Sequence, residues 1–215
     1  MDPQVKFVLF EPSHPGNVGA AARAIKTMGF DLLCLINPKE HPHPEARARS
    51  SGALDVLLDA EVCDNLNDAI ENCGLVVGTT SRTRRISAPT STIRDIAPSI
   101  INKAKHKPVA ILFGPEKTGL MNEQIDCCNQ LINIPSSKSY RSLNLAMAIQ
   151  IIAYELNFAW QALPSEIEAR NLASNSEMEL FYEHLNQVLL ETGFLNPRNP
   201  RQLMRRLRTL FNRAQ

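Results

Sequence analysis

Several things are scarce in this sequence, and each scarcity removes a class of protein. No apolar run approaches the ~18 residues that a membrane-spanning helix needs, and no basic-then-apolar leader opens the chain. The expected location is therefore the cytoplasm. The five cysteines are odd in number, contain no C-x-x-C, and include the adjacent pair Cys127 and Cys128. That pattern reads as reduced core thiols, with neither a disulfide framework nor a zinc site, and no metal is expected. Aromatic residues are only 6% and glycines only nine. The glycines do not compose a nucleotide fingerprint either. Gly16-Asn-Val-Gly19 lacks the G-x-G-x-x-G spacing, and Gly114 to Gly119 is followed by Leu120 and Met121 where a P-loop needs Lys and Ser or Thr.

Net charge is also scarce, at +1, yet that total hides opposed blocks. From Thr192 onward there are six arginines (Arg198, Arg201, Arg205, Arg206, Arg208, Arg213) and no acid. Between Asn72 and Pro115 there are seven Lys or Arg against the single acid Asp95. The rest of the chain leans acidic. Local basic segments on a near-neutral protein suggest an anionic partner, with nucleic acid the leading candidate. At 215 residues with 44% hydrophobic and 21% charged side chains, the chain fits one medium domain plus a small appendage.

Apolar runs alternate with helical patterns over the first three quarters. Strands are expected at 5–10, 32–36, 75–79, 109–113 and 131–134. Helices are expected at 18–28, closed by Gly29, at 45–51, 65–72 and 91–104, and over the long stretch 143–163. Strands alternating with helices imply an α/β domain with a parallel sheet of five or six strands. His-Pro-His-Pro at 41–44 reads as a solvated loop. Residues 164–175, rich in Glu, Ser and Asn, read as a linker between a first domain, 1–163, and a helical extension, 176–215. In that extension Ser176 and Glu179 suggest a capping box, with Phe181, Leu185, Val188 and Leu189 on one face. Asn199-Pro200 suggests a second cap, followed by a stripe of Leu203, Leu207, Leu210 and Phe211 with arginines on the opposite arc. So small a hairpin has to dock on the first domain or on another copy. Its arginines either grip nucleic acid or keep a docked helix soluble.

In an open parallel sheet, ligands bind beyond the carboxyl ends of the strands, so the loops that follow strands are the informative ones. They carry N-x-G-x-x-x-R (Asn17, Gly19, Arg23), F-G-x-E-x-x-G-L (Phe113 to Leu120) and S-L-N-L-A-x-A (Ser142 to Ala148), in that order. Together these loops resemble the three motifs of the SpoU branch of the SPOUT RNA methyltransferases. The C-terminal run from Glu177, with Arg201-Gln-Leu-Met-Arg-Arg-Leu-Arg, resembles the subgroup of bacterial TrmJ-type tRNA 2′-O-methyltransferases.

That resemblance implies a SPOUT fold with a C-terminal trefoil knot. It also implies S-adenosylmethionine as methyl donor, a ribose 2′-hydroxyl as acceptor, and a homodimer. For the subgroup, the acceptor is the pyrimidine at position 32 of the tRNA anticodon loop. Carried over residue by residue, the donor site is Thr79, Thr80, Ser81, Gly114, Ile134, Arg141, Ser142, Leu143 and Asn144. The catalytic set is Arg23, Asn17, Glu116, Ser142 and Asn144, and the RNA contacts are Arg23, Arg82, Arg84 and Arg85. Arg23 shares a helical face with Gly19, four residues away. A guanidinium there suits the oxyanion character that develops on a methylated hydroxyl and can hold a flanking phosphate; general-base action needs a neutral guanidine, which a pKa above ~12 makes scarce. The motifs specify donor and reaction and leave the acceptor open, so ribosomal RNA stays an alternative to tRNA. A non-enzymatic RNA-binding module with a degenerate donor pocket is the other. The apolar helix Leu145–Trp160 and the Ala20–Ala22 face suit burial in a dimer or in the core of one subunit.

Overall fold

A computed structural model describes residues 2–81, 90–137, 139–162, 173–196 and 202–212. Its framework is one all-parallel sheet of β1 (Val5–Phe10), β2 (Leu33–Ile36), β3 (Glu61–Cys63), β4 (Leu75–Thr79), β5 (Thr90–Thr92), β6 (Val109–Phe113) and β7 (Gln130–Asn133). The spatial order is β3-β2-β1-β6-β4-β7-β5. The four strands β1, β2, β4 and β6 are apolar almost throughout, as strands covered on both faces must be.

The expected five or six strands are thus seven among the described residues. The additions, β3 and β5, are three-residue strands at the two sheet edges. Edge strands pair on one side only and bury little, so Glu61-Val-Cys63 and Thr90-Ser-Thr92 carry no apolar run to read. β7 lies between β4 and β5 although β5 precedes it in sequence. An earlier connection therefore spans a gap that later chain fills, which is the arrangement the expected knot requires. That connection includes residues 82–89, outside the described residues.

Helices cover both faces. One core joins Phe7, Leu9, Val77, Ile111 and Phe113 to α1 (Pro15–Thr27), α5 (Ile93–Ala104) and α7 (Leu145–Ala162). The other joins Val8, Cys34, Val76 and Leu112 to α4 (Leu66–Ile70) and α6 (Asn122–Asp126). Two short helices, α2 (Pro44–Ser50) and α3 (Leu54–Leu58), pack on α1. The α1–α2 approach is so close that a Cβ on Gly19 would lie 2.0 Å from the Ala46 carbonyl oxygen. Across α5 and α7, Arg94 Nη2 donates to the buried Glu155 Oε1 at 2.7 Å.

Several local expectations are corrected. α1 begins at Pro15, three residues before the expected start, because the His14 side chain accepts from the Gly16 amide and proline takes the first turn. His43 caps α2 in the same way, accepting from Glu45 N at 3.1 Å, so the His-Pro-His-Pro segment is a helix entry and not merely a solvated loop. Residue 175 opens a helix and does not end a linker. The capping box of α8 (Asn175–Glu191) is Ser174 with Glu177, two residues before the expected pair. Its buried face centres on Tyr182, leaving Phe181 and Val188 at 38% exposure. In α9 (Leu203–Phe211) the expected stripe breaks at Leu210, which is 59% exposed, while Phe211 meets Phe181 edge-on at 4.9 Å. The expected Asn199-Pro200 cap and most of the 164–175 stretch lie outside the described residues.

The helical hairpin docks on the sheet domain. The amides of Asn175 and Ser176 donate to the carbonyls of Cys73 and Glu71 at 2.7 and 3.1 Å. Lys107 reaches Glu177 at 3.4 Å, and Arg205 reaches Asp126 of α6 at 2.9 Å.

Candidate active site

The carboxyl ends of β4, β6 and β7 surround a cavity of about 700 Å³, a size suited to a cofactor-sized ligand. Thr79, Thr80 and Ser81 line it from the end of β4, and Ile132 and Ile134 from β7. Residues 113–120 contribute after β6, and Arg141, Ser142, Leu143, Leu145, Ala148 and Ile152 come from the loop before α7 and from α7 itself. Hydrogen bonds fix the rim: Thr79 Oγ1 donates to the Leu112 carbonyl at 2.9 Å, and the Thr80 amide to the Ile132 carbonyl at 2.9 Å.

Glycine is obligatory at 114. A Cβ there would stand 2.3 Å from the Leu120 nitrogen and the Gly119 carbon, because the loop folds back on itself. The fold-back is closed by Gly119 N donating to the Pro115 carbonyl at 2.8 Å, with Gly119 at φ +65. Backbone is therefore exposed to the cavity beside the apolar side chains of Leu120, Ile132, Ile134 and Leu143. That combination suits a flat heteroaromatic ring whose edge is read by main-chain groups.

Beside the cavity, one hydrogen-bonded chain ties together all three motif loops. Glu116 Oε2 accepts from Ser13 N and Oγ at 3.0 and 2.7 Å, and Glu116 Oε1 accepts from Asn17 Nδ2 at 2.8 Å. Asn17 Oδ1 in turn accepts from Asn144 Nδ2 at 3.0 Å, and Asn144 Oδ1 accepts from Ala146 N at the start of α7. Partial burial of Glu116 works to raise its pKa, but the hydrogen bonds from Asn17 and Ser13 outweigh it and hold the carboxyl below its usual range. Glu116 is therefore an ionised clamp that fixes Asn17, and through it Asn144.

Arg23 lies six residues beyond Asn17 on α1, exposed, and no described hydrogen bond or ion pair engages its guanidinium. It does not line the cavity. Arg205 and Arg208 contrast with it. Arg208 forms two hydrogen bonds to Glu179, both 2.6 Å, and lies 4.4 Å over the Tyr182 ring, whose hydroxyl donates to Asn212 Oδ1 at 2.6 Å. The Glu179 hydrogen bonds raise the Arg208 pKa further. Arg82, Arg84 and Arg85 lie outside the described residues, as do Arg198, Arg201 and Arg213.

Residues 4–154 match the SpoU rRNA Methylase family, and residues 176–215 match the C-terminal domain of the tRNA methyltransferase TrmJ. The chain belongs to the SpoU methylase family. A tRNA (cytidine/uridine-2′-O-)-methyltransferase TrmJ of Klebsiella pneumoniae is 43% identical over 216 residues, covering 98% of this chain and 88% of that protein. A tRNA (cytidine/uridine/adenosine-2′-O-)-methyltransferase TrmJ of Pseudomonas aeruginosa is 41% identical over 223 residues, covering 98% and 87%. Among solved structures, TrmJ from Z. mobilis superposes with a TM-score of 0.83 at 32% identity, covering 97% of this chain and 90% of that one.

With the family established, the sequence-derived donor set can be placed. Thr79, Thr80, Ser81, Gly114, Ile134, Arg141, Ser142 and Leu143 all line the cavity. Asn144 turns to Asn17 instead, joining the clamp. Sequence reasoning missed Ser13, which supplies two of the three hydrogen bonds to Glu116, and the apolar lining by Leu120, Ile132, Leu145 and Ile152. Ser13 stands just before the first motif and carries no signal of its own. Leu120 and Leu145 lie inside motifs already recognised, where buried leucines read as core.

Proposed function

We propose that this SpoU-family protein transfers a methyl group from S-adenosylmethionine to the ribose 2′-hydroxyl of a pyrimidine nucleotide in tRNA, at position 32 of the anticodon loop. The observation that carries the reading is the hydrogen-bonded clamp Ser13–Glu116–Asn17–Asn144, which unites the three motif loops beside the cavity. The acceptor class is carried by the relatives, which are tRNA 2′-O-methyltransferases over nearly the whole of this chain.

The residues present fit the donor. Gly114 leaves main chain bare beside Leu120, Ile134 and Leu143, and Thr79, Thr80, Ser81 and Arg141 supply polar contacts along the rim. When bound, S-adenosylmethionine supplies an electrophilic methyl group on a sulfonium. Ser142 and Asn144 border the donor site on the acceptor side, with Asn17 holding Asn144 in place. Arg23, without an acid partner among the described residues, holds the phosphate flanking the target nucleotide and stabilises negative charge growing on the 2′-oxygen. Arg82, Arg84 and Arg85 extend the phosphate contacts.

A second copy of the chain is assigned to the outer face of α7, where Met147, Tyr154 and Phe158 are 62%, 51% and 62% exposed and the two rings stack. An apolar stripe of that kind marks an interface, and it begins three residues after Asn144, so the partner would adjoin the site. The division into a methyltransferase domain, 1–163, a linker that stops where α8 begins at Asn175, and a helical extension from there to 215 belongs to the same proposal, as does action in the cytoplasm. No helix among the described residues is long and apolar enough to cross a membrane.

The test offers unmodified tRNA and ribosomal RNA with labelled donor and maps the methylated nucleotide. A 2′-O-methyl pyrimidine at tRNA position 32 is the expected product. Methylation of ribosomal RNA alone, or no donor binding at millimolar concentration, would overturn the reading.

A further inference from the structure

Away from the methyl-transfer site, the sheet brings together two thiols and a carboxylate that the reaction does not use. Cys34 on β2 and Cys63 on β3 are 29 positions apart in sequence, so no ligand spacing announces them. Parallel pairing sets Cys34 opposite Glu61 and Ile36 opposite Cys63, which places both sulfurs and the Glu61 side chain on one face of the sheet. Their ligand atoms all lie within 4.8 Å of one another.

Two of the three separations match a coordination tetrahedron, and the third lies within 4.8 Å. Two sulfurs bound about 2.3 Å from a zinc ion at the tetrahedral angle lie about 3.8 Å apart, and a sulfur and a carboxylate oxygen about 3.5 Å apart. Cys34 Sγ and Cys63 Sγ are 3.8 Å apart, and Cys63 Sγ is 3.5 Å from Glu61 Oε1. Lys6 divides the carboxylate. Its ammonium group donates to Glu61 Oε2 at 2.7 Å and to the Ala69 carbonyl at 3.1 Å, which fixes Glu61 and leaves Oε1 turned toward the sulfurs. A ligand carboxylate held by an outer partner in this way is the usual support of a metal site.

Charge and access agree with the distances. Two thiolates and Glu61 carry three negative charges, which a divalent ion and the Lys6 ammonium balance. Cys34 and Cys63 are 0% and 7% exposed, whereas Glu61 is exposed on the edge strand, so an ion has a polar entrance and a dry seat. We propose that Cys34, Cys63 and Glu61 bind one divalent cation of the zinc class, with water as fourth ligand from the Glu61 side. Such a site carries no linear ligand spacing, because adjacent parallel strands, and not a C-x-x-C turn, assemble the ligands. The ion pins the edge strand β3 to β2 and stands apart from the methyl-donor cavity, which lies by β4, β6 and β7.

The experiment titrates cobalt(II) into the full-length reduced protein, then displaces it with zinc. The expected result is one ion per chain, with sulfur-to-cobalt charge-transfer absorption and the intense visible bands of four-coordinate cobalt. Cys34→Ser and Cys63→Ser should each remove the two-thiolate spectrum. Glu61→Gln, an exposed change that keeps both thiols, should weaken binding by about tenfold or more. Cys127→Ser, on another element, should leave the titration unaltered. Absence of a sulfur-to-cobalt band at millimolar cobalt overturns the proposal. So does a band that survives loss of Cys34 or Cys63, or an affinity that Glu61→Gln does not change.

Discussion

Arg23 and Arg208 are the same residue type in two parts of one chain, yet the fold employs them in opposite ways. Arg208 is met by the Glu179 carboxylate on a neighbouring helix, at two distances of 2.6 Å, and by the face of Tyr182. No described hydrogen bond or ion pair engages the Arg23 guanidinium, which α1 holds six residues beyond Asn17. A run of arginines in a sequence therefore says little about an anionic ligand until the acids that could neutralise it are placed. The C-terminal block looked the more basic of the two regions, but Arg205 and Arg208 both turn to acids, Asp126 and Glu179. Of Arg23, Arg205 and Arg208, Arg23 is the one without an acid partner among the described residues.

The largest expected effect tests the free member of the pair. Arg23→Ala should reduce methyl transfer by about 10²- to 10³-fold, the scale of losing one preorganised charge-stabilising donor. Donor affinity and thermal stability should stay unchanged, since among the described residues Arg23 neither lines the cavity nor pairs with an acid. Single-turnover kinetics and donor titration check both halves, and near-wild-type turnover would sink the assignment. Next comes Glu116→Gln. The amide offers donors where Ser13 N and Asn17 Nδ2 need acceptors, so at least one of these hydrogen bonds is lost. Turnover should fall about tenfold to a hundredfold through misplacement of Asn17 and Asn144, the range of a 1–3 kcal/mol loss. Unaltered turnover with lowered stability would make the clamp purely structural.

A stability change without a catalytic one is expected from the paired member. Arg208→Ala removes a half-buried bidentate pair and a cation–π contact, at about 1–3 kcal/mol. Denaturant unfolding should record the loss, and methyl transfer measured well below the melting temperature should be retained. If instead tRNA affinity dropped while stability held, Arg208 would belong with Arg23 and the contrast between the two would dissolve.

Legibility in the sequence followed burial. β1, β4 and β6 are apolar on both faces and could be read to the residue at 5–10, 75–79 and 109–113. β3 and β5 bury almost nothing and were invisible for that reason. The start of α1 came three residues before the expected 18 because an unusual group does the capping: the His14 imidazole replaces the Ser, Thr, Asp or Asn that a reader looks for. Within the site, glycines and motif polar residues were legible because their types are improbable elsewhere. Ser13 was not, since a serine before a turn is common and only the fold brings it 103 positions along the chain to Glu116. The Cys34–Glu61–Cys63 cluster is the same case, a product of strand order that no linear pattern records.

The smallest effect concerns how the paired region is fastened to the sheet domain. Glu177, at the first turn of α8, accepts from Ser174 N and Oγ at 2.6 and 2.8 Å and faces Lys107 at 3.4 Å. The hydrogen bonds from the Ser174 amide and hydroxyl, then that from Lys107, pull its pKa from 4.5 down to about 2. Because the folded value is the lower one, the carboxylate stabilises the docked helix fully above the ordinary pKa. That contribution fades as pH falls from 4.5 toward 2, where the group is protonated in both states. The side chain is exposed, so the effect is modest and screened by salt. Hydrogen exchange at the α8 amides should accelerate over that window in the parent protein, and Glu177→Gln should flatten the dependence. Glu177 joins α8 to Lys107 of the sheet domain, so over that window the hairpin should loosen at its docking contact with the sheet.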